Sequence, residues 1–221
     1  MKIFGTDYDG VIINIEPQKA SAFGELLYRE WGVDKDEASR FWMEKGGTSR
    51  RYKFDHFYEN HSGKKLADET YEVIESEYSN LLKSKYYPQV KLLDGALELL
   101  KFARTNFNFT FISSGIPTEE IKYLANLNGV SHNFDLILGT GGRNSSKADH
   151  FRQIIQERKP NLTIFVADSP ADMKIAKEFG AIPIGVLTNH SREELLNAGA
   201  SVTCDLNNVI SVIKNYIKLR R

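Results

Sequence analysis

Cysteine is almost missing from this sequence. Cys204 is the only one in 221 residues, so no internal disulfide can form and a reducing, cytoplasmic setting is expected. Long apolar runs are missing too. None approaches the roughly 18 residues of a membrane span, and the opening Met-Lys-Ile-Phe-Gly-Thr-Asp turns acidic too early for a signal peptide. No membrane partner is expected. Nor is there an excess of either charge: 29 Lys and Arg balance 29 Asp and Glu. A neutral chain argues against nucleic acid as a partner. Internal repeats and low-complexity segments are absent as well. What is present is an ordinary folded-protein mix, 41% hydrophobic and 26% charged. The length suits one large domain, or a domain with a sizeable insert, working as a monomer or homodimer.

Two textures alternate along the chain. Residues 2–7 predict a strand that ends in Asp7-Tyr8-Asp9-Gly10. From Glu16 to Pro88 no strand is expected. Ala20, Phe23, Leu27 and Trp31 fall at helical spacing before Gly32, Ala38, Phe41 and Trp42 repeat the pattern before Gly46-Gly47, and Tyr71, Ile74, Tyr78, Leu81 and Leu82 mark a longer helix. After Pro88 helices and strands alternate. Strands are expected at 107–113, 134–138, 162–167, 182–187 and 202–204, and helices near 95–105, 118–128, 145–159 (opened by Ser145 and Ser146), 192–198 and 209–217. Ser191 with Glu194 reads as a capping box. The basic end, Lys218-Leu219-Arg220-Arg221, reads as favourable charge at a helix C-terminus. This pattern predicts an α/β fold with a mostly parallel, Rossmann-like sheet covered on both faces. Residues 1–15 and 89–221 would form that core, and 16–88 an inserted all-helical domain.

In such sheets sites form beyond the carboxyl ends of the strands, so the residues found there are the candidates. Strand one ends on Asp7 and Asp9. Two residues apart in an extended chain, they project to the same side. One carboxylate can attack a phosphorus while the other handles the leaving-group proton; an ordinary acidic turn is the plainer alternative. Strand two ends on Ser113 and Ser114. The Ser113 hydroxyl, with N–H groups of a Ser114-Gly115 turn, can hold phosphate oxygens, or Ser113 can simply start a helix. Strand four ends on Asp168, able to share a hard cation such as Mg2+ with Asp7. Asp172 follows in Ser169-Pro170-Ala171-Asp172, a good helix start, where capping and support of a metal are compatible. Lys147 opens a helix whose dipole it opposes. Nearby anions would reverse that sign; a solvated lysine is the alternative.

Within the helical stretch, Arg50 and Arg51 can clamp a second anionic group. The favoured reading there has Ser49 capping a helix that begins with two solvated arginines. Tyr52, Phe54, Phe57 and Tyr58 read as core. His56 and His61 lack the companions of a metal site.

Together the segments resemble the haloacid dehalogenase-like hydrolase superfamily. Asp7-Tyr8-Asp9-Gly10-Val11-Ile12 is similar to its D-x-D-G-[TV]-[LIV] motif. Ser113 after Phe109-Thr110-Phe111-Ile112, then Lys147, then Val166-Ala167-Asp168-Ser169-Pro170-Ala171-Asp172 follow in the family's order. The resemblance implies a phosphatase acting on a small phosphorylated metabolite such as a phosphosugar, phosphoglycolate or a nucleotide. Asp7 would be the nucleophile and Asp9 the general acid and base. Ser113, Ser114 and Lys147 would hold the phosphoryl group. Asp7, the Asp9 carbonyl and Asp168 would bind Mg2+, with Asp172 in support. The helical insert resembles the small cap of the phosphoglycolate-phosphatase and β-phosphoglucomutase branch. Departures are Ala167 for a usual Gly, Asn14-Ile15 for a frequent Asp-Ser, and Ala148 for a frequent Pro. A phosphomutase and a non-catalytic phosphate sensor are the alternatives on this fold. A Schiff-base lysine among Lys45, Lys53 and Lys64 would mark a phosphonate hydrolase.

Overall fold

The computed structural model describes residues 1–46, 48–141 and 146–218. These divide into two compact units: Met1–Asn14 with Lys91–Arg221, and Ile15–Val90. Among the described residues no helix is long and apolar enough to cross a membrane.

The first unit is built on six strands, β1 (Lys2–Thr6), β2 (Phe109–Pro117), β3 (Leu136–Thr140), β4 (Leu162–Ala167), β5 (Ile182–Val186) and β6 (Val202–Cys204). All pair in parallel, in the order β3-β2-β1-β4-β5-β6. The order reverses between β1 and β4, and a crevice opens beyond the carboxyl ends at such a reversal. The helices of this unit are α5 (Ala96–Asn106), α6 (Thr118–Leu127), α7 (Lys147–Arg158), α8 (Pro170–Glu178), α9 (Arg192–Asn197) and α10 (Val209–Lys218). The expected capping box closes on α9. The positions 219–221 of the basic end lie outside the described residues.

Several strand boundaries differ from the sequence reading, and those of β1, β2 and β3 have a local reason. β1 stops at Thr6, and the chain turns at once, with the Ile12 N–H donating to the Tyr8 carbonyl at 2.9 Å. β2 starts two residues late, because Phe107 closes the end of α5 by donating its N–H to the Ala103 carbonyl. It also runs on to Pro117 through a shift in register after Ser113. The chain at Ser114-Gly115 is therefore irregular strand, not the expected turn into a helix; a residue before proline prefers extended backbone. β3 starts at Leu136 because residues 131–133 form a 3-10 turn.

The sheet is held to α7 by aromatic packing. Gly5 of β1 lies in register between Phe111 of β2 and Phe165 of β4. The two rings stack at 5.9 Å, and Phe151 of α7 meets Phe165 edge-on at 4.9 Å. A methyl on Gly5 would fall 2.2 Å from Phe111 Cζ.

The second unit comprises α1 (Glu16–Trp31), α2 (Lys35–Glu44), α3 (Arg50–Ser62) and α4 (Asp68–Leu81). A wide turn over Leu82–Tyr86 prolongs the last of these. Gly32 ends α1 in the left-handed conformation. Phe23 is its centre, within 6 Å of the rings of Trp42, Phe54 and Phe57. Phe54 and Phe57 are core as expected, whereas Tyr52 is exposed.

Replacing Gly5 with Ala should destabilise the chain by about 1–3 kcal/mol, because the two rings have no empty space to move into. Urea unfolding checks this; an unchanged midpoint would show that the rings are not packed over the glycine.

Candidate active site

Asp7 is buried just beyond β1, its N–H donating to the Val166 carbonyl of β4 at 2.9 Å. Its Oδ1 accepts the Tyr8 N–H at 2.7 Å, and its Oδ2 accepts from Lys147 Nζ at 2.7 Å. Tyr8 turns the other way, into the core, where its hydroxyl meets Asn128 Oδ1 at 2.9 Å. Lys147 is the first residue of α7. Its Nζ also donates to Asp172 Oδ2 at 2.8 Å. Asp172 keeps its capping partnership: the Ser169 hydroxyl donates to Asp172 Oδ2 at 2.7 Å, and Ser169 Oγ accepts the Asp172 N–H. One buried ammonium thus ties β1, α7 and α8 together.

Asp168 follows β4. Its Oδ2 accepts from Asn189 Nδ2 at 2.6 Å, and it presses on the turn after Asp9. Gly10 has φ +79, and a Cβ there would lie 2.1 Å from Asp168 Oδ2. Only glycine combines that backbone with that approach. Thr188 donates to the Gly10 carbonyl at 2.6 Å and fixes the turn from the other side.

The charges are unbalanced. Burial pushes the Asp7 carboxyl up; Lys147 opposes this, but Asp172 and Asp168 add to the rise, which leaves it well above the usual carboxylate range. Burial also raises Asp168, to about 6, against the Asn189 hydrogen bond and with help from Asp9 and Asp172. For Lys147 burial acts downward, but Asp172 and Asp7 outweigh it and hold the ammonium firmly protonated. Among the described residues negative charge is therefore in excess around Lys147. Among the described residues no three His, Cys, Asp or Glu side chains close into a metal cage. A Mg2+ ion does not require one: it takes one or two carboxylates and keeps much of its water. The hard oxygen donors of Asp7 and Asp168 fit such an ion.

Ser113 ends the regular part of β2, in the row after the Thr6–Ile112 pair and so beside Asp7. It is buried, and its Oγ lies 2.9 Å from His150 Nδ1. His150 Nε2 lies 2.9 Å from the Gly139 carbonyl of β3. Ser114 Oγ accepts the Ile116 N–H at 3.2 Å. Position 145, expected with Ser146 to open the helix, lies outside the described residues, as do 142–144 and 47. Ser146 itself caps α7 in a capping box with Asp149.

Arg50 and Arg51 each pair within the helical unit. Ser49 caps α3, accepting the Tyr52 N–H. Arg50 Nη1 binds Glu75 Oε1 at 2.7 Å, and Arg51 binds Asp55, Asp68 and the Leu66 carbonyl. As consecutive helical residues they point about 100° apart, each toward its own acids.

His150, Thr188 and Asn189 were not foreseen. The signals were there: His150 is three residues after Lys147, hence on the same helix face, and Thr188-Asn189 come just beyond the carboxyl end of β5.

The model of the haloacid dehalogenase-like hydrolases matches residues 1–180. The chain belongs to that family. Solved structures agree in fold. A haloacid dehalogenase-like family protein from Streptococcus pneumoniae is 20% identical, with TM-score 0.76 over 96% of this chain and 97% of its own. A protein from Haemophilus somnus, described as a predicted phosphoglycolate phosphatase, is 15% identical, with TM-score 0.80 over 96% and 98%. A family hydrolase from Deinococcus radiodurans, with bound phosphate and sodium, is 18% identical, with TM-score 0.65 over 92% and 90%. No curated protein matches the chain.

The raised Asp168 value has a consequence for stability. An acid whose folded pKa exceeds its unfolded one binds protons more tightly when folded, so stability falls as pH rises from about 4 to about 6 and stays reduced above. Two units correspond to roughly 2–3 kcal/mol. In metal-free buffer Asp168→Asn should melt above the unsubstituted protein at pH 8, and the gap should close near pH 4. A gap that does not depend on pH would remove the charge explanation.

Proposed function

We propose that this hydrolase cleaves a small phosphomonoester with the help of Mg2+, passing the phosphoryl group through Asp7. The observation that carries the reading is the buried Asp7 carboxylate, paired with Lys147 yet still inside an excess of negative charge. Such a site suits a strongly anionic substrate only if a further cation comes with it. Asp7, the Asp9 carbonyl and Asp168 would hold that cation, with Asp172 behind them through Lys147. When bound, Mg2+ neutralises phosphoryl charge as a Lewis acid.

A carboxylate oxygen of Asp7 attacks phosphorus, and the bond from phosphorus to the ester oxygen breaks. Asp9, two residues on and half-buried, gives its proton to the leaving oxygen. Water then attacks phosphorus, Asp9 takes back a proton, and the bond from Asp7 to phosphorus breaks, releasing inorganic phosphate. Lys147 lies where charge builds up on the transferring group. On this reading the helical stretch 16–88 is a cap that selects the substrate, a phosphosugar, phosphoglycolate or nucleotide type, in a cytoplasmic enzyme.

Turnover of p-nitrophenyl phosphate should vanish in excess EDTA and return with Mg2+; full activity without metal would end the assignment. Asp7→Asn should be inactive yet folded.

Asp9→Ala separates the two half-reactions. An alkyl ester needs a proton on its leaving oxygen, whereas nitrophenolate leaves largely without one. The variant should lose about 10²–10⁴-fold on an alkyl phosphate and far less in phosphorylation by the nitrophenyl ester. With that ester, a burst of nitrophenol and a mass gain of one phosphoryl group should appear. Equal slowing of both esters, with neither burst nor mass gain, would move Asp9 to a purely positioning role.

A further inference from the structure

The Ser113–His150–Gly139 chain has a definite direction. The Gly139 carbonyl can only accept, so the atom facing it, His150 Nε2, carries a hydrogen. Burial, the largest influence, and Lys147 hold the ring neutral, against the Gly139 bond and Asp149. A neutral ring with hydrogen on Nε2 has a bare Nδ1, which accepts. The single proton of the Ser113 hydroxyl is therefore spent on His150 Nδ1. At rest Ser113 offers lone pairs, and a phosphoryl group, whose oxygens also only accept, gains nothing from it.

Protonation of the ring inverts this. With hydrogen on Nδ1 as well, His150 donates to Ser113 Oγ, and the hydroxyl proton is free to turn to an anion. We propose that His150 is the positioning residue for Ser113, and that a tetrahedral oxyanion binding beside Asp7 takes up one proton from solvent onto His150 Nδ1. This rests on the phosphohydrolase reading. It adds that the hydroxyl becomes a donor only when the ring is charged.

The surroundings favour such coupling. α7 carries both Lys147, which meets Asp7, and His150, which meets Ser113, so one rigid helix links the ring to the phosphoryl position. The charged groups that bear on the ring are Lys147 and Asp149 of its own helix. β2 and β3 present the Ser113 hydroxyl and the Gly139 carbonyl, and Asp172 of α8 is turned to Lys147. An incoming dianion offsets the cost of a buried imidazolium in a way that none of these groups does alone.

The test uses the full chain with Mg2+ and sulfate, a tetrahedral dianion that does not itself titrate near neutrality. In ¹⁵N-labelled protein at pH 7.5, His150 Nδ1 should resonate as an unprotonated nitrogen without sulfate and as a protonated one at saturation. His150→Asn identifies the signal. Its amide nitrogen can take the Nδ1 position and donates without having to take up a proton, so its kcat/KM for p-nitrophenyl phosphate should lack the decline with rising pH expected of the unsubstituted enzyme. Ser113→Ala should lower kcat/KM on the order of ten-fold and leave Nδ1 unprotonated in sulfate. If the unsubstituted enzyme turns over its ester and binds sulfate while Nδ1 stays unprotonated, the proposal is overturned and the phosphohydrolase reading stands. Absence of any turnover would remove both.

Discussion

The ammonium of Lys147, buried between Asp7 and Asp172, is the constraint on which the rest of this site depends. Taking three charged groups out of water is expensive, and attraction between them offsets this only when the geometry is good and the remaining lone pairs are satisfied. That requirement reaches outward. Tyr8 N–H must occupy the other Asp7 oxygen, and Ser169 must cap α8 while donating to Asp172. α7 must be held against the sheet, which Phe151 does by packing on Phe165. Loss of any of these supports would leave a buried charge partly unpaired.

The sheet supplies the positions. Because the strand order reverses between β1 and β4, the residues just beyond these two strands, Asp7 and Asp168, flank the crevice, and Gly10 lets the turn after Asp9 come down onto Asp168. The same economy of space recurs at Gly5, beneath the stacked rings of Phe111 and Phe165. Two glycines therefore serve different ends, one for backbone approach to a carboxylate and one for room beneath the core.

Much of the placement was legible in the sequence, because a strand recognised by its apolar run also marks the residues just past its carboxyl end as candidates. β4 and β6 have the expected bounds, and Asp7, Asp168 and Lys147 come to one edge of the sheet. What stayed hidden was choice of partner. Nothing in a linear reading says that β3 turns the Gly139 carbonyl to His150, that Asn189 meets Asp168, or that Arg51 is consumed by Asp55 and Asp68. These depend on register and on which helix face packs inward. The irregular end of β2 was invisible for the same reason, since the shift after Ser113 is a property of its pairing with β3.

Electrostatics then selects among ligands. Among the described residues Asp7 and Asp172 share the one charge of Lys147, and burial first, then neighbouring carboxylates, raises Asp7 and Asp168. A neutral molecule would leave the repulsion as it is, and a bare dianion would add to it. A hard dication would relieve it and would prefer these oxygens. On the proposed function, the same ground would then accept a dianion, which would also give a buried histidine reason to charge. On the proposed function, cation first, anion with it, and a proton after them would be the order in which each step lowers the cost of the next, and it would arise from the charge balance of the site rather than from any single residue.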